Sequence, residues 1–421
     1  MDVGSILIIL PVLIIFSYLF DILAIRTKFP SVILLVLTGI IARFISTYYG
    51  FDNFDFLDTL VPVLGTIGLI LIVLEAALEL DIKKEKIQII TKGFMAALII
   101  LLINIVLVSL FFEKVIGLPN PTSVIYAIPL SIISSAVAIP SASALINKNK
   151  EFVVYESTFS DILGIMIFYY SIRQVEKGEV LIGLEPILTL VGQIVLIIIL
   201  SLAITYLLFQ LIQRIEHHVK FFLILALLIL SYEIGKDILK LPSLVLIFIF
   251  GIFLGNFSNL IPERFKKYVK TDKVGKEDLH EFNLLTAEST FLVRTFFFLF
   301  FGFSIPLDSF IEFEPYIIGA TVLLIMYGVR YFYLAFTDKD EESKPLLYFS
   351  PRGLITILLF LSIADYDIEK SSTIDENVLL VVIIASMLIM IQGSITKKSK
   401  EEKDKNLADQ SLSEIVDEHI E

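Results

Sequence analysis

Uninterrupted apolar segments of about 20 residues recur along the whole chain, and they constrain its fold more than any other feature. A helix needs about that length to cross a bilayer, where its backbone polar groups must be satisfied internally. Hydrophobic residues make up 57% of the 421 residues, and the mean hydropathy is +0.87. The sequence therefore predicts an all-α polytopic membrane protein with about 13 transmembrane helices. The predicted spans are residues 4–24, 30–47, 57–80, 93–112, 122–146, 152–173, 187–211, 221–238, 242–257, 285–305, 316–336, 344–364 and 378–396.

These spans place residues 1–396 in one transmembrane domain and leave residues 397–421 as a short charged tail. The first apolar segment is too long for the apolar region of a signal peptide and lacks a small-residue cleavage site, so we expect it to remain as the first span. The longest loop, residues 258–283, is expected either to form a short amphipathic helix on the inner membrane face or to be a solvated linker.

Composition excludes several classes of function. Cysteine is absent, so disulfides, thiolate metal sites and cysteine nucleophiles are excluded. The four histidines, at positions 217, 218, 280 and 419, lie in predicted loops or in the tail, which argues against a buried histidine metal site. A net charge of -12 argues against binding of nucleic acid. With no visible phosphate loop or catalytic domain, we expect neither an enzyme nor a bound cofactor.

The distribution of lysine and arginine predicts the orientation of the chain, because cytoplasmic loops collect these residues. With the N-terminus outside, 23 cations fall in segments on the inner side and seven in segments on the outer side. Thirteen spans then place the C-terminus and its tail in the cytoplasm. The expected location is the cell membrane.

Nine ionisable residues fall within predicted spans. Asp21, Glu79 and Glu288 lie near span ends, where an interfacial position satisfies them. The other six need partners at depth, because a charge that faces lipid costs several kcal/mol. These six are Glu75, Glu156, Asp161, Arg294, Arg330 and Arg352.

The segment VVYESTFSDILGIMIFYY carries two of these acids on one predicted helix. Glu156 and Asp161 are five residues apart, hence about 140° apart around the axis, and they do not easily share a partner. Glu156 is suited to a structural ion pair with an arginine of another span. Asp161 has no obvious mate, so it is either protonated and inert, or it exchanges protons and cations with water in a cavity. Ser157, Ser160 and Gly164 surround both acids with small positions that let a neighbour approach closely.

Two predicted spans look interrupted. ISSAVAIPSASAL places Pro140 among small residues in mid-span, and YFSPRGLITILL places Pro351 and Gly353 around Arg352. One proline in an apolar helix is often only a kink. A pair of interruptions, in spans five and twelve, is typical of inverted-repeat transporters, in which two discontinuous helices cross near the membrane midplane. Equivalent spans seven apart run in opposite directions, as inversion requires.

These segments resemble motifs of the sodium/proton exchangers in the cation/proton antiporter superfamily. YESTFSDILGI is similar to the family signature GES-x-x-ND-G, SSAVAIPSASAL lies where the family has its unwound TDPVA helix, and SPRGLITILLF looks like its RG helix. LILIVLEAALELD, FFFLFFGFSI and YGVRYF also look like family segments, in the same order. The resemblance covers most of the chain.

The resemblance implies a role for each matching residue. Asp161 would bind the transported Na⁺ and exchange protons, Glu156 would pair with Arg330, and Arg352 would stabilise the broken twelfth span. Two positions depart from the family: Ser160 replaces an asparagine, and Ser135 or a neighbour replaces the aspartate of TDP. The expected ion and proton site therefore comprises Asp161 with the serines at 134, 135, 157 and 160, and Ser141 offers a further hydroxyl.

The expected function is electroneutral 1:1 exchange of cytoplasmic Na⁺ for external H⁺ by alternating access, in a homodimer within the lipid bilayer. Two alternatives stay open. The first is a K⁺/H⁺ antiporter or K⁺ efflux transporter, since selectivity among Na⁺, Li⁺ and K⁺ depends on cavity geometry. The second is a non-transporting membrane sensor or scaffold with the same fold.

Overall fold

A computed structural model of the chain describes residues 3–27, 30–50, 57–142, 145–178, 184–214, 221–238, 243–256, 276–305, 313–337, 341–366 and 374–393. Within these ranges the chain is almost entirely helical and contains no strand. The α-helices are α1 (Val3–Thr27), α2 (Ser31–Tyr48), α3 (Leu57–Glu79), α4 (Ile87–Phe111), α5 (Asn120–Ser131), α6 (Ser135–Ser141), α7 (Asn147–Glu176), α8 (Leu184–Arg214), α9 (Phe221–Glu233), α10 (Leu244–Gly255), α11 (Lys276–Ser304), α12 (Glu314–Thr337), α13 (Leu354–Ser362) and α14 (Glu376–Gly393).

The helices confirm an all-α membrane architecture. Eight helical segments in the described ranges are long and apolar enough to cross a bilayer, and shorter apolar helices accompany them. Each of the thirteen predicted spans overlaps a helix. Some boundaries differ from the prediction: α4 begins six residues before the predicted start, and α11 begins at Lys276 rather than 285. Polar residues in their first two turns hid both starts, because hydropathy reports the apolar part of a helix and not its ends.

The helices pack into two groups. One group contains α1, α2, α3 and α8 to α11, and the other contains α4 to α7 with α12, α13 and α14. In the first group α2 and α11 touch backbone to backbone: a Cβ at Gly39 would overlap the carbonyl oxygen of Leu299, and a Cβ at Gly302 would overlap that of Val36. Small residues permit this approach, which drives helix association in a membrane.

Both predicted interruptions exist, and they meet. The first lies between α5 and α6 at residues 132–134, so the break precedes Pro140, which is inside α6. The second lies at residues 348–353 and contains Pro351 as predicted; a 3₁₀ helix, Glu341–Leu347, precedes it and α13 follows it. The backbone N–H of Ser134 donates to the carbonyl of Pro351 across 2.9 Å. The two discontinuous helices therefore cross where their chains are extended.

Two of the predicted segments lie partly or wholly outside the described residues. Of the loop predicted at 258–283, residues 276–283 form the first turns of α11, and the remainder lies outside the described residues. The tail at 397–421 also lies outside them.

Candidate ion-binding site

Asp161 lies on α7 directly against the first break. Its side chain is 2% exposed, and its Oδ2 accepts a hydrogen bond of 3.1 Å from the backbone N–H of Ser135, the first residue of α6. Its Oδ1 accepts no hydrogen bond from the described residues. No lysine or arginine of the described part of the chain forms a salt bridge with it. The acid is therefore held by one oxygen, while the other stays available to a proton or a cation.

The Ser160 side chain bonds to the backbone of the first break and does not face a ligand. Its Oγ accepts a 3.0 Å hydrogen bond from the backbone N–H of Ile133, in the extended stretch between α5 and α6. A buried amide in such a stretch has lost its helical partner, and leaving it unpaired is costly. The hydroxyl thus satisfies the broken backbone one residue before Asp161.

The other predicted serines differ in their orientation. The Ser157 hydroxyl donates to the Val153 carbonyl of its own helix at 2.7 Å, and Ser141 does the same to Val137 at 2.8 Å. Ser134 is buried, and its Oγ has no hydrogen-bond partner among the described residues. It packs so closely against Gly353 that a Cβ at that glycine would overlap the Ser134 side chain. Ser134 and Asp161 therefore each present an unpaired oxygen beside the crossing.

Arg352 joins the two interrupted spans. Its Nε donates to the carbonyl of Leu130 at 2.8 Å and its Nη2 to that of Ser131 at 3.4 Å, at the carboxyl end of α5. Its Nη1 donates to the carbonyl and the hydroxyl of Ser350 at 2.6 and 2.7 Å, and its own backbone N–H donates to Ser386 Oγ on α14 at 3.0 Å. A cation is favourable at a helix carboxyl end, where carbonyls lack partners. The roles of Ser350 and Ser386 could not be predicted from the sequence, because serines in apolar spans carry no signal of their partners.

Glu156 and Arg330 form a two-pronged ion pair between α7 and α12. Arg330 Nη1 and Nη2 donate to the two carboxylate oxygens at 2.6 and 2.9 Å, and both side chains are at most 1% exposed. Arg330 Nε donates to the carbonyl of Leu346 at 2.7 Å. Such a pair neutralises both charges at depth, and it pairs both carboxylate oxygens of Glu156.

A cavity of about 190 Å³ leads to the break. Glu75 and Glu79 of α3, Arg294 of α11, and Ser135 and Pro140 of α6 are among its lining residues. Glu75 interacts electrostatically with Arg294. Ser135 therefore lines the cavity and also donates its backbone N–H to Asp161. Glu75 and Arg294 were expected to need partners at depth and Glu79 to lie near a span end, and the packing of α3 against α11 brings all three to one cavity.

The oxygens at the break suit a hard monovalent cation. Within the described ranges no cluster of three histidine, aspartate or glutamate side chains could hold a metal ion. Coordination at this place would combine one carboxylate with hydroxyl and carbonyl oxygens, which are ligands that hard cations prefer over soft ones. The geometry combines a buried acid that has one unpaired oxygen, an interrupted backbone and a neighbouring cavity.

A sequence model of a known family settles the classification. The model of the transmembrane sodium/hydrogen exchangers matches residues 12–398. The chain belongs to this sodium/hydrogen exchanger family. It is thus a multi-pass membrane protein and a cation/proton antiporter. No curated protein matches the chain significantly.

Solved structures share the fold of this exchanger. The structure of the sodium proton antiporter MjNhaP1 from Methanocaldococcus jannaschii at pH 8 aligns with a TM-score of 0.68 and 21% identity, over 95% of this chain and 100% of that one. A structure of the same antiporter from a 3D EM map aligns with a TM-score of 0.67 and 20% identity, over 95% of this chain and 96% of that one.

Proposed function

We propose that this exchanger transports Na⁺ against H⁺ in an electroneutral 1:1 cycle, with Asp161 binding either ion in turn. Cytoplasmic Na⁺ displaces a proton from Asp161, and external H⁺ later displaces the Na⁺. Between these events the helix group that contains both breaks moves relative to the group of α1 to α3 and α8 to α11, so that Asp161 meets one side of the membrane at a time.

The observation that carries the proposal is the half-satisfied carboxylate of Asp161. One oxygen is held by the Ser135 amide, the other is unpaired, and no cationic side chain neutralises it in the described part of the chain. A buried carboxylate in that state needs a cation or a proton, because an isolated buried charge is unfavourable. Competition between the two ions for one group is sufficient for obligatory exchange.

The 1:1 stoichiometry rests on Asp161 being the acid at the break itself that has no neutralising cation. Glu156 is neutralised by Arg330 at 2.6 Å. Glu75 shares its cavity with Arg294, which offsets its charge. Asp161 is left as the acid that changes occupancy, so each transit moves one positive charge in either direction.

Orientation and assembly complete the proposal. The bias of 23 lysines and arginines over seven places the N-terminus outside and the C-terminus in the cytoplasm. On this assignment the cavity opens inward, because Glu79 lies at the end of α3 that leads to the lysines of residues 83–86. The exposed apolar faces of α1 and α8, which include Phe16, Leu19, Ile199 and Leu202, offer the surface for a homodimer.

The test is ion-driven proton flux in proteoliposomes with Na⁺, Li⁺ and K⁺, with and without a membrane potential. Asp161→Asn should abolish flux while the protein keeps its elution profile and melting temperature; Glu85→Gln, at an exposed acid, is the matched control. Flux with Na⁺ should exceed flux with K⁺ and be insensitive to potential. Undiminished flux in Asp161→Asn would refute the assignment of Asp161 as the ion-binding residue. Faster flux with K⁺ than with Na⁺ would refute Na⁺ as the transported cation. If no cation drives flux, the non-transporting alternative is favoured.

A further inference from the structure

A second cavity, away from the ion site, lies between α4, α7 and α12. Its volume is about 210 Å³. Its apolar walls include Met95 of α4, Phe152 of α7, and Tyr333 and Leu334 of α12. Phe152 and Tyr333 also pack on a small buried cluster of Ala96, Ile100 and Val329, so the walls belong to the packed interior. We call this cavity the α4–α12 groove.

The groove faces the surface that a membrane would cover. Met95 is 41% exposed, and next to the groove α4 presents Phe94 and Leu102 while α12 presents Phe332 and Phe336. Apolar side chains exposed in a continuous band on spanning helices contact lipid tails. A ligand that enters from this direction therefore comes from within the bilayer.

The rim of the groove is basic. Lys92 at the start of α4 and Lys148 at the start of α7 line it, and both are exposed; they are the charged side chains among the lining residues. Buried Asn149 lies beside them and also lines the groove. Both lysines belong to segments that carry the cationic bias, the side on which anionic lipids and basic residues attract each other.

We propose that the α4–α12 groove binds an anionic phospholipid, with the phosphate at Lys92 and Lys148 and an acyl chain along Met95, Phe152 and Leu334. Basic pockets between transmembrane helices bind such head groups, and the apolar floor supplies the part of the contact that a soluble anion would not use. This site is separate from transport of the cation, and its test does not depend on the proposed function.

The groove also touches the support of the buried ion pair. Leu346 lines it, and the Leu346 carbonyl accepts the hydrogen bond from Arg330 Nε at 2.7 Å. Phe152 precedes Glu156 by one helical turn, and Leu334 follows Arg330 by one. A bound lipid would therefore contact the two helix segments that carry this ion pair. Lipid binding should accordingly raise the melting temperature of the whole protein.

The experiment compares lipids on the full-length protein after removal of bound lipid in detergent. Phosphatidylglycerol should bind in native mass spectrometry and raise the melting temperature, whereas phosphatidylcholine with the same acyl chains and glycerol 3-phosphate should do neither. Lys92→Gln/Lys148→Gln should weaken phosphatidylglycerol binding about fivefold for each lysine, near thirtyfold together. The control Lys84→Gln/Lys150→Gln removes the same charge from the same face outside the groove and should leave binding unchanged.

A second variant checks the apolar floor. Met95→Gln keeps both lysines. It should weaken the binding of phosphatidylglycerol without changing the preference of the groove for that head group over phosphatidylcholine. Equal binding of the two lipids, or equal weakening by the control pair, overturns the proposal. Binding of glycerol 3-phosphate alone would assign the rim to a soluble phosphate. Stabilisation by a peptide of residues 397–421, with none by phosphatidylglycerol, would assign the groove to the charged tail. Either of these last two results would also overturn the proposal.

Discussion

Ser134 and Pro351 join the two broken spans through one backbone hydrogen bond of 2.9 Å. Neither atom could make that bond in a continuous helix, because the N–H and the carbonyl would be used within their own helices. The same interruption lets the Ser135 N–H donate to Asp161 and frees the Leu130 carbonyl, at the end of α5, to accept from Arg352 Nε. The ion site is therefore a consequence of the break, since the broken backbone supplies the groups that hold the acid.

Removing one member of the Glu156–Arg330 pair should destabilise the protein strongly. Glu156→Gln leaves Arg330 buried without a counter-charge, at an expected cost of about 3–5 kcal/mol. The melting temperature in detergent should fall accordingly. Glu156→Gln/Arg330→Met removes both charges and should recover much of the loss. As a control, Glu151→Gln breaks the partly exposed pair with Lys86 and should cost less than about 1 kcal/mol. A small loss in Glu156→Gln would show that the pair contributes little.

Ser160→Ala should destabilise the break. The substitution leaves the buried N–H of Ile133 without its acceptor, at an expected cost of about 1–3 kcal/mol in the free energy of unfolding. Ser157→Ala is the matched control, because that hydroxyl bonds only to carbonyls of its own helix, and its loss should cost under about 0.5 kcal/mol. Thermal unfolding of both variants measures the difference, and equal melting temperatures would contradict the role of Ser160.

Gly39→Ala should force α2 and α11 apart. The added Cβ would meet the backbone of Leu299 and Phe303, which cannot rotate away as a side chain can. Overpacking of this kind costs about 1–3 kcal/mol. Gly328→Ala, in α12, adds the same methyl group in open space and should be neutral or stabilising by up to about 1 kcal/mol. If Gly39→Ala melts no lower than Gly328→Ala, the close contact is not required for stability.

Acidification should remove the contribution of Asp81, which follows α3 outside the span. The Lys83 ammonium hydrogen-bonded to it at 2.7 Å lowers the pKa of this carboxyl. Because the folded pKa lies below the unfolded value of about 3.9, the stabilisation is present above that pH and is lost as the pH falls through the folded pKa. Melting temperatures of the wild type and of Asp81→Asn should differ slightly at about pH 6, and the gap should narrow as the pH falls below about 3.9. A gap that persists in acid would assign the effect to packing instead.

Much of the architecture could be predicted from the sequence. Spans are recognisable because a bilayer requires long apolar helices, and the two interruptions are recognisable because proline and glycine break them. Glu156 and Arg330 could be named from the family motifs, and the structure places them in contact across 174 residues of sequence. Pro140 marked the correct span, yet the break lies six residues earlier, since a proline kinks a helix without fixing where it stops.

By itself, the sequence determined the membrane environment, the approximate spans and the two broken segments. It determined these because each depends on local composition. Only the tertiary structure decided that Ser160 holds the Ile133 amide, that Ser386 holds that of Arg352, and that Glu75, Glu79 and Arg294 share a cavity with Ser135. These relations join residues far apart in the chain, and the packing of helices that sets them depends on the shapes of many side chains at once.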